Sequence, residues 1–321
     1  MRIGVLGAGA VGGVLAALLD RAGHEVVVTA RGEHLDAIRR GGIRLTGAWG
    51  SHTAHVAAAE TLPPGLDAVL VTTKAQDSAA AVTAAAHAID GLPVLVVQNG
   101  LAGVAATSTL LPRSEVAGAL ALFAASYLSP GEVAVTSTAH THLGGAAAGF
   151  FERLLRGVIP VSVTHNFAGA QWTKLIVNQL NALPAITGLS VQEVIADPRT
   201  RRALTASMRE AVRVALAAGV RFEPVQGLTH SRLAFFARLP LWAGQLLPLR
   251  FGRYLGSTPN PGSTLQSIRR GQPTEIDYLN GAVAATGHAP INARLVELVH
   301  EVERTGRFLT PQQLSAKMRL G

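Results

Sequence analysis

The sequence predicts a two-part α/β protein: a doubly wound parallel sheet in the first half, then an all-helical C-terminal domain. Three observations carry this reading. Short apolar runs alternate with helix-compatible stretches over residues 1–166, and two of those runs are apolar almost throughout. From about Ala168 strand-length runs give way to helical patterning broken at Pro and Gly. With 321 residues the chain is long enough for two domains, and the boundary is placed near Asn166, giving 1–166 and 167–321.

In order, residues 3–6 form the first strand candidate and residues 11–22 a helix closing at Gly23. Residues 26–30, 66–73 and 92–98 supply three more strands. The last two are hydrophobic enough to be buried on both faces of a parallel sheet. Strand-like pieces at 133–138 and 158–164 are expected to finish the domain. Beyond the boundary, residues 168–219, 223–247 and 276–305 are helix-compatible. Residues 252–262 (GRYLGSTPNPG) read as a loop from their Gly, Pro, Ser and Asn content.

Composition removes several function classes. Nearly half the residues are hydrophobic and only 15% are charged, which argues against disorder. The net charge is +8, yet the basic residues are scattered singly or in pairs such as Arg39-Arg40 and Arg201-Arg202. No run tracks a phosphate backbone, so no nucleic-acid partner is expected. There is no cysteine, which excludes disulfides, thiolate nucleophiles and cysteine-ligated metals. The 11 histidines lack ligand spacing, so no metal is expected. Apolar stretches at 117–128 and 239–249 are shorter than the roughly 20 residues of a membrane span. The apolar N-terminus reads better as a glycine loop than as a signal peptide. A cytoplasmic protein without a membrane partner is the expectation. Lysine occurs only at Lys74, Lys174 and Lys317, which makes a lysine at a mechanistic position informative.

The first such motif is Gly7-Ala8-Gly9-Ala10-Val11-Gly12, a GxGxxG that follows a strand and opens a helix. The first glycine permits the tight turn and the second admits a pyrophosphate. The third lets the helix pack closely on the strand, with the phosphates on the helix N-terminus. A ligand-free glycine turn is the alternative, but strand, loop, helix and second strand are all in register, as in a Rossmann-type domain. The second strand ends in Arg31, where enzymes that use NAD carry an acid for the ribose hydroxyls. A guanidinium there would pair with a 2′-phosphate, so NADPH is the expected cofactor; a solvated surface arginine is the competing reading. Lys74 and Asn99-Gly100 follow the third and fourth strands, at the carboxyl ends where ligands sit in this architecture. Asn-Gly is also good turn chemistry in its own right.

The chemistry is assigned to Trp172-Thr173-Lys174-Leu175-Ile176-Val177-Asn178-Gln179-Leu180-Asn181. Lys174, Asn178 and Asn181 stand at i, i+4 and i+7, on one stripe of a helix. A solvent-exposed lysine is the ordinary alternative. Hydride delivery to a ketone builds negative charge on oxygen, and an ammonium there stabilises it and supplies the proton. With an ordinary value near ~10.4 the lysine is expected to serve unperturbed. Asn178 and Asn181 would orient substrate or lysine. Further on, Asn260 and Ser263 lie in a loop able to donate to a carboxylate. Thr274-Glu275-Ile276-Asp277 looks like a helix start, with Thr274 as cap and acids in the first turn.

Taken together these motifs resemble the ketopantoate reductase (2-dehydropantoate 2-reductase) family over nearly the whole chain. The opening GAGAVGG, Arg31, Lys74, Gln98-Asn99-Gly100, Trp172-x-Lys174-Leu175-x-x-Asn178, Ser263 and Thr274-Glu275-Ile276-Asp277-x-Leu279-Asn280-Gly281 carry the resemblance. It implies NADPH-dependent reduction of 2-dehydropantoate, or a related small 2-keto acid, to the (R)-2-hydroxy acid on the route to pantothenate. It also implies Lys174 as proton donor and Asn99, Asn178 and Ser263 on the substrate. Gly7 to Gly12, Arg31, Lys74, Asn99 and Glu275 would serve the cofactor. The chain departs from the family pattern at Ala182, where a second asparagine is usual, and at Gln266-Ser267 and Gly271-Gln272. The long hydrophobic segment 233–254 is a further departure, read as extra core or a homodimer contact rather than a lid. All four lie on the substrate side. The alternatives are therefore a paralogue acting on another 2-keto acid, a β-hydroxyacid dehydrogenase, which shares Lys-x-x-x-Asn, or a non-catalytic NADPH-binding regulator.

Overall fold

The computed structural model describes residues 1–253 and 259–318. The centre of the 252–262 loop and the last residue of the 233–254 segment lie outside the described residues. The chain forms two compact units, Met1–Phe167 and Ala168–Gly321.

The first unit contains β1 (Arg2–Leu6), β2 (Glu25–Thr29), β3 (Ile43–Gly47), β4 (His52–Ala54), β5 (Ala57–Ala59), β6 (Ala68–Val71), β7 (Val94–Val96), β8 (Val116–Ala121), β9 (Ala124–Ser129), β10 (Glu132–Ser137), β11 (Thr141–Gly145) and β12 (Val161–Val163). Its helices are α1 (Ala10–Arg21), α2 (Gly32–Gly41), α3 (Ala75–Ile89), α4 (Gly103–Leu110) and α5 (Ala148–Leu155). The main sheet runs β12-β11-β8-β7-β6-β1-β2-β5. From β5 to β8 every neighbouring pair is parallel. The chain steps from β1 to β2 on one side and to β6 on the other, so strand order reverses beside β1. That switch point opens a crevice at the carboxyl ends of the strands. All four residues of β6 and all three of β7 are buried, as their unbroken hydrophobicity requires. Apolar cores cover both faces, one gathered on Leu15, Leu18 and Phe151, the other on Leu62, Val82 and Ile89.

The strands expected at 133–138 and 158–164 both form and finish this unit, but in two different sheets. Residues 133–138 do not finish the main sheet; β10 pairs with β3 and β9 in a separate four-stranded sheet, β4-β3-β10-β9. Residues 116–121 and 141–145 take the place in the main sheet, with β11 antiparallel to β8. Residues 116–121 (VAGALA) are rich in Ala and Gly and 141–145 (THLGG) end in two glycines, residues with poor strand propensity, so tertiary packing weighs heavily in both. The deciding contact is Phe167. Its side chain lies over the paired Gly118 and Gly144, where a Cβ would come 2.3 Å from the ring at Gly118 and 2.3 Å from the Phe167 Cβ at Gly144.

The second unit is helical. It contains α6 (Phe167–Asn178, beginning one residue before the unit boundary), α7 (Ala182–Thr187), α8 (Val191–Ala196), α9 (Pro198–Ala217), α10 (His230–Arg238), α11 (Leu241–Gly244), α12 (Leu246–Gly252), α13 (Gly262–Arg269), α14 (Asn280–Thr286), α15 (Pro290–Thr305) and α16 (Pro311–Met318). Short 3₁₀ turns occupy Gln179–Asn181 and Ile276–Tyr278. Among the described residues this unit has no strand, only an isolated bridge between Val225 and Leu228. Its central helix, α9, starts where Asp197 accepts the amides of Arg199 and Thr200 and Pro198 fills the first position. Within the hydrophobic segment 233–254, Leu233 and Phe236 are buried while Phe235, Trp242 and Leu246 are exposed. No helix among the described residues is long and apolar enough to cross a membrane.

Candidate active site

At the carboxyl edge of the first sheet the glycine loop is built by steric necessity. Gly7 adopts φ +104°, and a Cβ there would sit 2.9 Å from the Thr73 side chain. At Gly12 a Cβ would lie 2.0 Å from the Gly7 carbonyl oxygen and 2.4 Å from the Thr72 hydroxyl. Only glycine lets α1 start this close to the strand. Around Gly9, in contrast, the space is open, with nothing within 4 Å of a Cβ position. Helix α1 has no side-chain cap and no acid in its first turn. Its first amides, at Ala10, Val11 and Gly12, therefore face an open approach over Gly9, which is the cradle a pyrophosphate needs.

The loop is fixed from behind. Gly7 donates its amide to Thr29 Oγ1 at 2.8 Å and Ala8 its amide to the Thr29 carbonyl at 2.8 Å. Thr72 Oγ1 donates to the Gly7 carbonyl at 2.7 Å. His34 Nδ1 accepts the Gly131 amide at 3.0 Å, which places the ring hydrogen on Nε2, 2.7 Å from the Ala8 carbonyl. None of these three side chains stands out by pattern. Thr29 and Thr72 sit at strand ends where a hydroxyl is commonplace, and the partners of His34 are remote in sequence. Arg31 is exposed at the N-cap position of α2, next beyond β2 in the crevice. Lys74 occupies the corresponding position before α3, after β6. Asn99 and Gly100 follow β7, with Gly100 at φ +86°. Gln98 beside them donates to the Thr73 carbonyl at 2.9 Å. The first-unit residues expected on the cofactor therefore gather at the ends of four adjacent strands, while Glu275 lies in the second unit.

In the second unit Lys174 and Asn178 lie on α6, one turn apart, above buried Leu175 and Ile176. The helix tightens into the 3₁₀ turn before Asn181, and i and i+3 eclipse in such a turn, which keeps Asn181 in line with Asn178. Asn181 Oδ1 lies 2.9 Å from a Cβ position on Gly262 (φ +70°), so the loop bearing Ser263 reaches this stripe only because residue 262 is glycine. Ser263 is exposed in the first turn of α13. Asn260 does something else. Its Oδ1 accepts the Gly262 amide at 2.9 Å and its carbonyl accepts the Val191 amide, so it shapes the loop rather than meeting a ligand through its side-chain oxygen.

Lys174 differs from the expectation of an ordinary lysine. Burial strips water from its ammonium and lowers its pKa to about 8, against a smaller opposing pull from the Glu275 carboxylate. The amine thus stays mostly protonated at neutral pH while titrating close to it. Glu275 precedes the second 3₁₀ turn and makes no cap hydrogen bond there. Thr274 is not the cap of a full helix either. It is buried, its amide bound to Glu303 at 2.9 Å and its Oγ1 accepting the Ile276 amide at 3.4 Å, while Asp277, in the first turn of the 3₁₀ element, also accepts from His300.

Behind α6 lies a buried polar network in which only Asn280 belongs to a motif read from the sequence. Gln179 Nε2 donates to the Leu175 carbonyl at 2.9 Å, and Ser207, Asn280 and Asn292 converge behind it. Among the described residues no group of three or more His, Asp or Glu could hold a metal.

Two family models described as ketopantoate reductase PanE/ApbA and its C-terminal region match residues 3–148 and 166–303. The structure also superposes on a crystal structure of a PanE/ApbA family ketopantoate reductase from Ralstonia eutropha JMP134. The identity is 30%, the TM-score 0.82, and 95% of this chain and 99% of the other are covered. The chain belongs to the ketopantoate reductase family. That makes it an enzyme, an oxidoreductase, and the two ketopantoate reductase models fall one on each side of the unit boundary. A 2-dehydropantoate 2-reductase from Halobacterium salinarum is 28% identical over 95% of this chain and its whole length. The fold of the family extends to D-mandelate dehydrogenase, solved with NADH and anilino(oxo)acetate, at 19% identity and a TM-score of 0.78.

Proposed function

We propose that this chain reduces a small 2-keto acid to the (R)-2-hydroxy acid with NADPH, 2-dehydropantoate being the first candidate, as a cytoplasmic step of pantothenate biosynthesis. The observation that carries the proposal is the half-buried Lys174, its pKa lowered to about 8 by loss of water around the ammonium and held up by Glu275, on a stripe with Asn178 and Asn181. NADPH, when bound, supplies the hydride. The glycine loop and the open N-terminus of α1 fit its pyrophosphate, and Arg31 at the end of β2 fits a 2′-phosphate.

Lys174 holds the proton that the carbonyl oxygen takes as negative charge develops there, and a value near neutrality suits proton transfer at working pH. The loss of hydration that lowers that value also strengthens the field of the ammonium at the oxygen. Asn178 and Asn181 offer amide donors and acceptors to orient the acid, and Ser263, in the first turn of α13, offers a hydroxyl donor to its carboxylate. Glu275 keeps Lys174 protonated over a wider pH range.

NADPH oxidation with a panel of keto acids tests the reading. 2-Dehydropantoate, 2-oxoisovalerate, pyruvate and benzoylformate, the oxidised form of mandelate, make a sufficient set. We expect kcat/KM for 2-dehydropantoate to exceed the others by about ten-fold or more, the discrimination that one or two extra hydrogen bonds supply. A preference for benzoylformate would reassign the substrate, and NADPH binding without turnover of any keto acid would make the chain a regulator.

A further inference from the structure

The second unit holds a cavity of about 580 Å³ whose lining includes none of Lys174, Asn178, Ser263 and Glu275. Its lining carries Arg209 and Arg213, a turn apart on α9, with the apolar Val214, Leu241, Pro290 and Ile291 and the polar Thr286 and His288. Arg213 also borders an adjoining cavity of about 610 Å³, whose lining includes Arg238 and His230.

The charges here are unbalanced. Glu210 is the sole carboxylate on the lining of the first cavity, and it is engaged elsewhere. Its Oε1 accepts the Ile291 amide at 3.0 Å, and its Oε2 accepts the Asn292 amide and Nδ2, each at 2.7 Å. Glu210 therefore caps the start of α15 from outside, where the helix dipole and three donors absorb its charge. Among the described residues no carboxylate lies within ion-pair distance of Arg209 or Arg213.

Each arginine has a structural task that accounts for part of it. Arg209 Nη1 donates to the Leu239 carbonyl at 2.7 Å and Arg213 Nε to the Ala237 carbonyl at 2.9 Å. These bonds close the carboxyl end of α10 and hold both guanidiniums still. They use one donor from each and leave two like charges a turn apart, Arg209 half-buried and Arg213 exposed. Burial and the neighbouring Arg213 both weigh against the charge of Arg209. A guanidinium does not escape by losing its proton, so an anion is what relieves the pair.

We propose that this cavity is a second ligand site, for a small organic carboxylate with an apolar body. Two preorganised guanidiniums match a carboxylate, the apolar side chains match the body, and the volume lies in the range of ligand pockets. An inorganic anion would satisfy the arginines and leave the apolar side chains wet. The site is independent of the reduction chemistry.

Calorimetric titration of the full chain tests the proposal, with octanoate as probe and octanamide and inorganic phosphate as controls. The expected result is saturable octanoate binding at least about ten-fold tighter than either control, because only octanoate satisfies both the arginines and the apolar side chains. Arg213→Gln should weaken octanoate binding by about ten-fold or more. Ala217→Trp, which keeps both cations and fills the cavity, should abolish it. Cooperative thermal unfolding of each variant shows that its fold is retained. Octanoate binding that is equal in the wild type and Arg213→Gln, or no tighter than phosphate, would overturn the assignment.

Discussion

Replacing Lys174 by alanine is expected to lower kcat for keto-acid reduction by about a hundred- to ten-thousand-fold, the range associated with removing a general acid that also stabilises the oxyanion. NADPH affinity, measured by fluorescence titration, should stay within about three-fold, because the residues proposed to hold it, Glu275 apart, lie in the first unit and Lys174 interacts with charge developed only in the transition state. Lys174→Arg separates the two roles of the ammonium. A guanidinium keeps the charge and parts with no proton near neutrality, so kcat should stay far below wild type. If Lys174→Arg restored turnover, electrostatic stabilisation would suffice and proton donation would lie elsewhere. Removing an ammonium stripped of water also removes a desolvation cost, so loss of activity in these variants should not coincide with loss of fold.

The second large effect is expected at Arg31. Its guanidinium stands exposed at the end of β2, at the N-cap of α2, with no carboxylate among the described residues in ion-pair contact. Arg31→Ala should raise KM for NADPH by about ten- to a hundred-fold, as expected for a lost charge-assisted pair with a phosphate, and leave KM for NADH nearly unchanged. Arg31→Asp should go further and favour NADH, since a carboxylate repels the 2′-phosphate and accepts from ribose hydroxyls. Steady-state kinetics with both cofactors checks this. Equal effects on NADPH and NADH would show that Arg31 acts on the fold of the crevice and not on the phosphate.

The first half of the chain is largely legible because its signals are local. The β1–α1 turn is written by glycines whose Cβ positions are occupied, and β6 and β7 by runs of apolar residues. What lies further on depends on distant partners. The strand at 116–121 is built from Val, Ala, Gly and Leu, and it is fixed by Phe167 packing over Gly118 and Gly144. The second sheet joins β10 to β3 across most of the unit's length, a pairing no window of sequence contains. In the helical unit Lys174 and Asn178 are visible by spacing, while the value of the lysine is not, since burial is a property of the folded surroundings. Asn260 has the right chemistry for a ligand and spends it on a turn. The network of Gln179, Ser207, Asn280 and Asn292 joins four places in the sequence that share no motif.

The pH dependence of kcat/KM for NADPH-driven reduction tests the central claim most directly. Protonated Lys174 is the competent form, and its pKa is lowered from 10.5 to about 8. The rate should therefore be level below that value and fall by about ten-fold per pH unit above it. The reverse oxidation, which needs the free amine, should rise through the same range. In Glu275→Gln the opposing pull of the carboxylate is gone, so the break should move to lower pH. A profile that stays level to the ordinary lysine value of 10.5, or a break near 8 unmoved in Glu275→Gln, would contradict the assignment of the proton to Lys174.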